Sequence, residues 1–483
     1  VISILETQLL SATPSRRPEA VRPQLLTYSA LVISGVGATA VLLLADADVQ
    51  LLILPVLVVS WIFATFAAFL YFHDGQTPLF HAGFFAAGTA LVYIALPAVF
   101  FAISGFEWSE TSDRRLVSLN VQPEDVADYV WRGALYLSAL CATYILMVRS
   151  VAKPPRTSSI PVAASDAAVC LLIIAGCFFC KRAVEVAFGV TLSEADATFP
   201  ADGINPNLPL VIAQITHNIA AIQRLAKLAL VVALVGLWTN RWAKFALAVF
   251  LASELFSMIA LFGPRTYFAF LVLATLLAFH KMVRPVSVAV LGACVVPFLA
   301  LLLAYGYSRN YSDEFTDFST ANEFQVLMVT ALHVRDMVES GLKVPPQIPW
   351  SELLMLIPQQ LLPIEKIDPS IWYLVESGYS ETGSGYMFGV QSQAEVGWGN
   401  LELLLRGILL AVVLGFLHRQ YSRRLGSFLA TVSYIWLLTV TYYSYRAATF
   451  YWVTFIAFHL LVFVGIFLIL RRLVSIFQRR QPL

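Results

Sequence analysis

The residues best suited to chemistry lie in one glycine-rich stretch and in a set of cations at unexpected depths. The stretch is Gly383-Ser-Gly-Tyr-Met-Phe-Gly-Val-Gln-Ser-Gln-Ala-Glu395-Val-Gly-Trp-Gly-Asn400. Its glycines let backbone turn tightly beside a ligand. It presents Gln391, Gln393 and Glu395 just before an apolar run, and a carboxylate at that boundary has the chemistry of a general base. The bland reading is a loop glycine cluster with a capping glutamate. The spacing is not that of a dinucleotide-binding turn, and no strand–helix unit surrounds it.

The cations Lys181, Arg182, Arg224, Lys227, Arg265, Arg309 and Arg446 map near the boundary of apolar runs facing away from the cytoplasm. Loop charge bias disfavours them there, and a cation inside a span costs roughly 2.5–3.5 kcal/mol on insertion scales. An anionic ligand would repay that cost; snorkelling or local pairing is the plainer account. Lys181 and Glu185 have i,i+4 spacing suited to a local pair. Arg265 follows Gly263-Pro264 in a short turn and opens an apolar run with no acid nearby in sequence. Arg309 stands in Tyr305-Gly-Tyr-Ser-Arg-Asn, just past another run.

Other motifs carry less. Asp46-Ala-Asp48 has the form of a metal and sugar-nucleotide motif, but its tight turn leaves little room for a substrate. His333 and Arg335 fall on a helical pattern, and a single histidine makes no metal site. Neither a zinc spacing nor a phosphate-binding loop is found, so no metal or cofactor is expected. The five cysteines all fall within apolar runs, which reads as packing.

These residues need a scaffold, and composition says which. The chain has 483 residues, 59% of them hydrophobic, with a net charge of +1. That apolar excess exceeds what a soluble domain buries, and the charge balance suggests no nucleic-acid partner. The expectation is an all-α polytopic membrane protein with about twelve spans: 25–45, 49–72, 79–104, 129–149, 163–185, 208–239, 244–262, 265–280, 285–305, 401–418, 425–443 and 449–470. Three regions follow: a bundle over 1–305, a long outer loop over 306–400, and a helical C-terminal part over 401–483. More than half of the 31 Lys and Arg residues, among them Arg16, Arg149, Arg241, Lys281, Arg423 and Arg472, fall on alternate loops. This puts both termini in the cytoplasm. A first outer loop, 105–128, is acidic. Within the large loop, Phe324, Leu327, Ala331, Val334 and Val338 recur at helical intervals after a Thr320/Glu323 capping pair. They predict an amphipathic helix on the membrane or over a cavity. A second short helix is predicted at 350–357.

Three stretches resemble the Wzy-type bacterial oligosaccharide repeat-unit polymerases, integral-membrane glycosyltransferases (GT-C-like) related to O-antigen ligases. They are Gly263-Pro264-Arg265 opening an apolar helix, the late outer loop with Ile357-Pro and Leu362-Pro, and the Gly385 to Asn400 run. The resemblance covers about residues 240–470. It implies a bacterial inner-membrane enzyme acting on undecaprenyl-pyrophosphate-linked oligosaccharides at the periplasmic face, with no cofactor and no metal. Glu395 and Arg265 would be catalytic. Arg309, Arg335, Gln391, Arg446 and Tyr386 would bind substrate. Chain-length regulator and flippase proteins of the same pathway would be its partners. The alternatives are a polymer ligase of the same fold and a lipid-linked-glycan transporter. Against the transporter stand the absence of an internal repeat and the size of the loop on one face.

Overall fold

A computed structural model describes residues 47–74, 78–111, 116–149, 151, 160–189, 210–260, 265–287, 290, 323–357, 361–364, 366–378, 388–424 and 426–480. The helices are α1 (Ala47–Asp74), α2 (Ala82–Ser104), α3 (Pro123–Val148), α4 (Ala164–Phe188), α5 (Leu210–Gly236), α6 (Arg241–Ala260) and α7 (Arg265–Met282). The large loop holds α8 (Glu323–Glu339), α9 (Ser351–Leu354), α10 (Pro369–Glu376) and α11 (Val390–Val396). After it come α12 (Asn400–Arg423), α13 (Phe428–Val440) and α14 (Tyr443–Arg446). The last span runs through α15 (Tyr451–Phe455), a π turn (Ile456–Leu460) and α16 (Leu461–Arg480).

Among the described residues, eight helices are long and apolar enough to cross a membrane. Helix α7 is a shorter apolar helix over Tyr267–Met282, and α13 has 13 residues. The sequence-predicted spans 25–45 and, for the most part, 285–305 lie outside the described residues. The long run 208–239 forms one continuous helix, α5. The chain is not wholly helical. Part of the acidic region expected as a loop forms an antiparallel ribbon, β1 (Glu107–Thr111) with β2 (Leu116–Asn120), in which Ser109 pairs with Ser118. The acids Glu124 and Asp125 then stand in the first turn of α3, where they complement the helix dipole.

Helices α1, α2 and α12 pack on α3, and α4 and α7 pack on α5. The α3–α12 seam is close because α12 offers small residues at i, i+4 and i+8: Gly407, Ala411 and Gly415. A Cβ on Gly407 would lie 2.6 Å from the Tyr136 carbonyl oxygen, and one on Gly415 would lie 2.5 Å from the Met147 Cβ. Small residues of this spacing let helices meet where lipid supplies no hydrophobic drive. The amphipathic helix α8 does not rest its apolar face on lipid. Leu327, Met328, Val329 and Ala331 are buried in the main core, and Val334 joins a smaller core with Ile348, Trp372, Tyr373 and Phe388.

Polar contacts sort the helix ends into two sets. Asp74, His81, Tyr144, His418 and Tyr434 meet at one end of the bundle. Arg132, Glu352, Glu395 and Arg406, with their partners, gather at the other. The end that carries the large loop is called the loop end below.

Candidate functional site

Glu395 comes from α11, a seven-residue helix seated between α8 and the start of α12. The backbone reverses at Gly399, with φ 59° and ψ −132°, a conformation open in practice to glycine alone. Gly397 is as constrained, since a Cβ there would lie 1.6 Å from Glu402 Oε2. The glycines of the sequence motif therefore serve a sharp turn packed against a buried carboxylate.

Glu395 is largely buried, and Arg132 of α3 donates a charge-paired contact to its Oε1 at 2.6 Å. Burial pushes its carboxyl above the ordinary carboxylate range, while Arg132 and then Arg335 pull in the opposite direction. Arg335 of α8 reaches the same neighbourhood, but its guanidinium is engaged by Asp125 at 2.7 Å and Asp128 at 3.1 Å. Gln391 faces the other way along α11. Its amide donates to the Tyr129 carbonyl at 3.0 Å and to the Tyr445 hydroxyl at 2.8 Å.

A second charged knot lies deeper. Arg406 of α12 pairs with Glu352 of α9 and, at 2.6 Å, with Glu402 one turn back. It also donates to the Gln393 side-chain oxygen at 2.8 Å and to Thr449 at 3.2 Å. Glu352 accepts the Phe450 backbone N–H at 2.7 Å, and Glu402 accepts that of Trp398 at 2.9 Å. Two carboxylates and one guanidinium are thus buried together with hydrogen bonds on every arm of the fork. Burial on this scale is tolerable only with such pairing.

The short helix α14 joins this region to the start of α7. Tyr445 packs on Tyr136 and bonds Gln391, whereas Tyr442 and Tyr443 pack edge-on against Phe270 of α7. Arg446 lies 5.3 Å over the Tyr442 ring. Arg265, at the first position of α7, stands little more than one turn before Phe270; its side chain is outside the described residues, as are Arg309 and Tyr386. The structure thus gathers Glu395, Gln391 and Arg335 and sets Arg446 beside them on α14.

Several expectations resolve differently. Arg335 is held by acids of α3, because the acidic region that was read as a loop begins that helix. His333 shares a hydrogen bond with the Tyr373 hydroxyl at 2.9 Å, which fastens α8 to α10. Burial lowers its pKa. In keeping with the plainer account of local pairing, Arg182 pairs with Glu185 at 2.6 Å, and Lys227 pairs with Glu254 at 2.9 Å. Lys281 is no loop cation: it is buried in the last turn of α7, 5.6 Å over the Phe80 ring. Asp46 lies outside the described residues, and Asp48 falls in the first turn of α1. Cys141, Cys170, Cys177 and Cys180 are free thiols. Among the described residues no group of three His, Cys, Asp or Glu could hold a metal ion.

Sequence reading missed Arg132, Glu352, Glu402 and Arg406. The usable signal was charge within apolar spans, which is a functional or structural marker by default. The sequence matches no family model, and no curated protein or solved structure is similar to it.

Proposed function

We propose that this protein is a polysaccharide polymerase that joins undecaprenyl-pyrophosphate-linked oligosaccharides at the periplasmic face of a bacterial inner membrane. About twelve spans, with residues 306–400 on the periplasmic side and both termini in the cytoplasm, complete the reading. The observation that carries it is Glu395: a buried carboxylate with a raised pKa, at the loop end of an apolar bundle, flanked by Arg132 and Arg335. A carboxylate whose pKa is raised above its ordinary value serves proton abstraction from a sugar hydroxyl better than an unperturbed one.

In the proposed reaction the acceptor hydroxyl oxygen attacks the anomeric carbon of the donor glycan. The bond from that carbon to the pyrophosphate oxygen breaks, and polyprenyl pyrophosphate leaves with the electron pair. The acceptor proton passes to Glu395. Arg265 and Arg309 stabilise charge on the leaving group with planar forks, and Arg446 supplies a further cation across α14. Arg335, engaged by Asp125 and Asp128, orients the acidic rim instead of reaching pyrophosphate. Gln391 positions Tyr445 at the same boundary.

Purified protein in nanodiscs, given lipid-linked oligosaccharide, is expected to build a glycan ladder. Glu395→Gln is expected to fold normally and lose about 10²–10⁴ in rate, and Arg265→Ala about 10²–10³. A normal ladder from either variant removes that residue from the mechanism. Transfer to a different lipid acceptor without any ladder favours a ligase. Substrate movement between leaflets without glycan joining favours a transporter.

A further inference from the structure

The segment that follows α8 carries a side-chain pattern turned inside out. In water, apolar residues go inward and charged residues outward. Over residues 350–357 the reverse holds. Ser351 and Glu352 are only 3% and 7% exposed, whereas Trp350 and Leu353 on either side are both 53% exposed. Ile357 is also exposed. A run of large apolar side chains open on one face marks a contact surface rather than scattered surface residues.

The depth of this segment is fixed by its buried side. Glu352 is paired with Arg406, six residues along α12 from Asn400, which is roughly 9 Å at 1.5 Å per residue. Its other carboxylate oxygen holds the N–H of Phe450, directly before the last span. Helix α9 is therefore wedged between the ends of two spans, below the start of α12. Trp398 and Leu401, at the start of α12, and Tyr451, at the start of the last span, are exposed as well. Tryptophan at such a boundary belongs to the interfacial belt of a bilayer.

The backbone agrees with that placement. Trp350 N–H bonds the Gln347 carbonyl at 3.2 Å, Met355 bonds Ser351 at 2.9 Å, and Leu356 and Ile357 bond Leu353 and Leu354, each at 3.2 Å. Pro349 carries no N–H that needs a partner. Backbone at membrane depth must satisfy its polar groups internally in this way.

We propose that residues 348–357 form a re-entrant anchor seated among the lipid acyl chains at the loop end of the bundle, with Trp350, Leu353 and Ile357 against lipid. The anchor ties the loop to the bilayer through Glu352 and Arg406, while α8 is held by protein. The inference is independent of the polymerase reading.

The test uses the unaltered protein in nanodiscs doped with a phospholipid carrying a diazirine in mid-acyl chain. After photolysis, mass spectrometry maps the lipid adducts. Peptides covering 350–357 are expected to carry adducts at yields like those on the exposed face of 401–416. Peptides bearing the exposed Asp336, Glu339 and Ser340 are expected to carry none. Adducts on 401–416 with none on 350–357 would overturn the anchor. So would adducts on 350–357 that form only with a headgroup-borne diazirine, since the segment would then lie on the surface.

Discussion

The two ends of the bundle solve the burial of polar groups in opposite ways. At the loop end the groups are full charges: Arg132, Arg335 and Arg406 face Asp125, Asp128, Glu352, Glu395 and Glu402. At the far end rings and hydroxyls predominate, gathered around one carboxylate, Asp74, with Lys281 buried beside them over the Phe80 ring. Asp74 is bonded by His73 at 2.8 Å and His81 at 2.6 Å. The His81 ring stacks on His418 with centroids 4.3 Å apart, and His418 bonds the Tyr434 hydroxyl at 2.7 Å. Tyr434 in turn stacks on Tyr421 at 4.3 Å and donates to the Phe80 carbonyl. The far end pins α1, α2, α3, α12 and α13 with hydrogen bonds and ring stacking around Asp74. The loop end is held by ion pairs from five different helices. A scaffold is served by the first arrangement, and a reaction that moves protons and anions is served by the second.

The largest effect expected on either side is at Arg406. Arg406→Ala leaves Glu352 and Glu402 buried without their cation, which should cost about 3–5 kcal/mol. Melting in detergent and the yield of folded protein measure it; a variant as stable as the parent would mean that the knot is wet and loosely held. The comparison sharpens with a pair of activity measurements. Glu395→Gln should nearly abolish glycan joining, whereas His418→Gln should leave it close to the parent level. Equal losses from both would erase the functional distinction between the ends.

A pH profile tests the electrostatics of Glu395. A folded-state pKa above the ordinary carboxylate range favours the protonated form. Its contribution to stability is complete below the unfolded carboxyl pKa and is lost as pH rises through the raised value. Base-dependent activity has the opposite sign and should rise through that same window. Arg132→Gln removes the nearest cation, so the acid limb should move to still higher pH. A limb unchanged by that substitution would separate Glu395 from the rate. The smallest effect is at the far end itself: His418→Gln removes one neutral bond and a ring stack, and should cost about 1 kcal/mol of stability, read as a modest drop in melting temperature.

Much of this was legible in residue order. Apolar runs gave the eight described helices long and apolar enough to cross a membrane, because hydropathy over about 20 residues is a local property. The helix through Phe324 to Val338 followed from its periodicity, and the glycine motif pointed to Glu395 and Gln391. Arg132 and Arg406 were hidden because each sits inside a run whose average remains apolar. Their partners Glu395 and Glu352 are hundreds or tens of residues away in sequence. The ribbon of 107–120 escaped because five-residue strands carry too short a pattern to outweigh an acidic, loop-like composition.

Sequence by itself therefore determined that this chain is a helical, apolar, multi-span protein with a long polar insertion, since those properties are sums over neighbouring residues. Only the tertiary structure decided which charges neutralise one another. It paired Arg335 with Asp125 and Asp128, Arg132 with Glu395, and Arg406 with Glu352. It also turned the apolar face of α8 inward and that of 350–357 outward. An ion pair depends on a few ångströms between side chains from different helices, and no local window of sequence contains that distance.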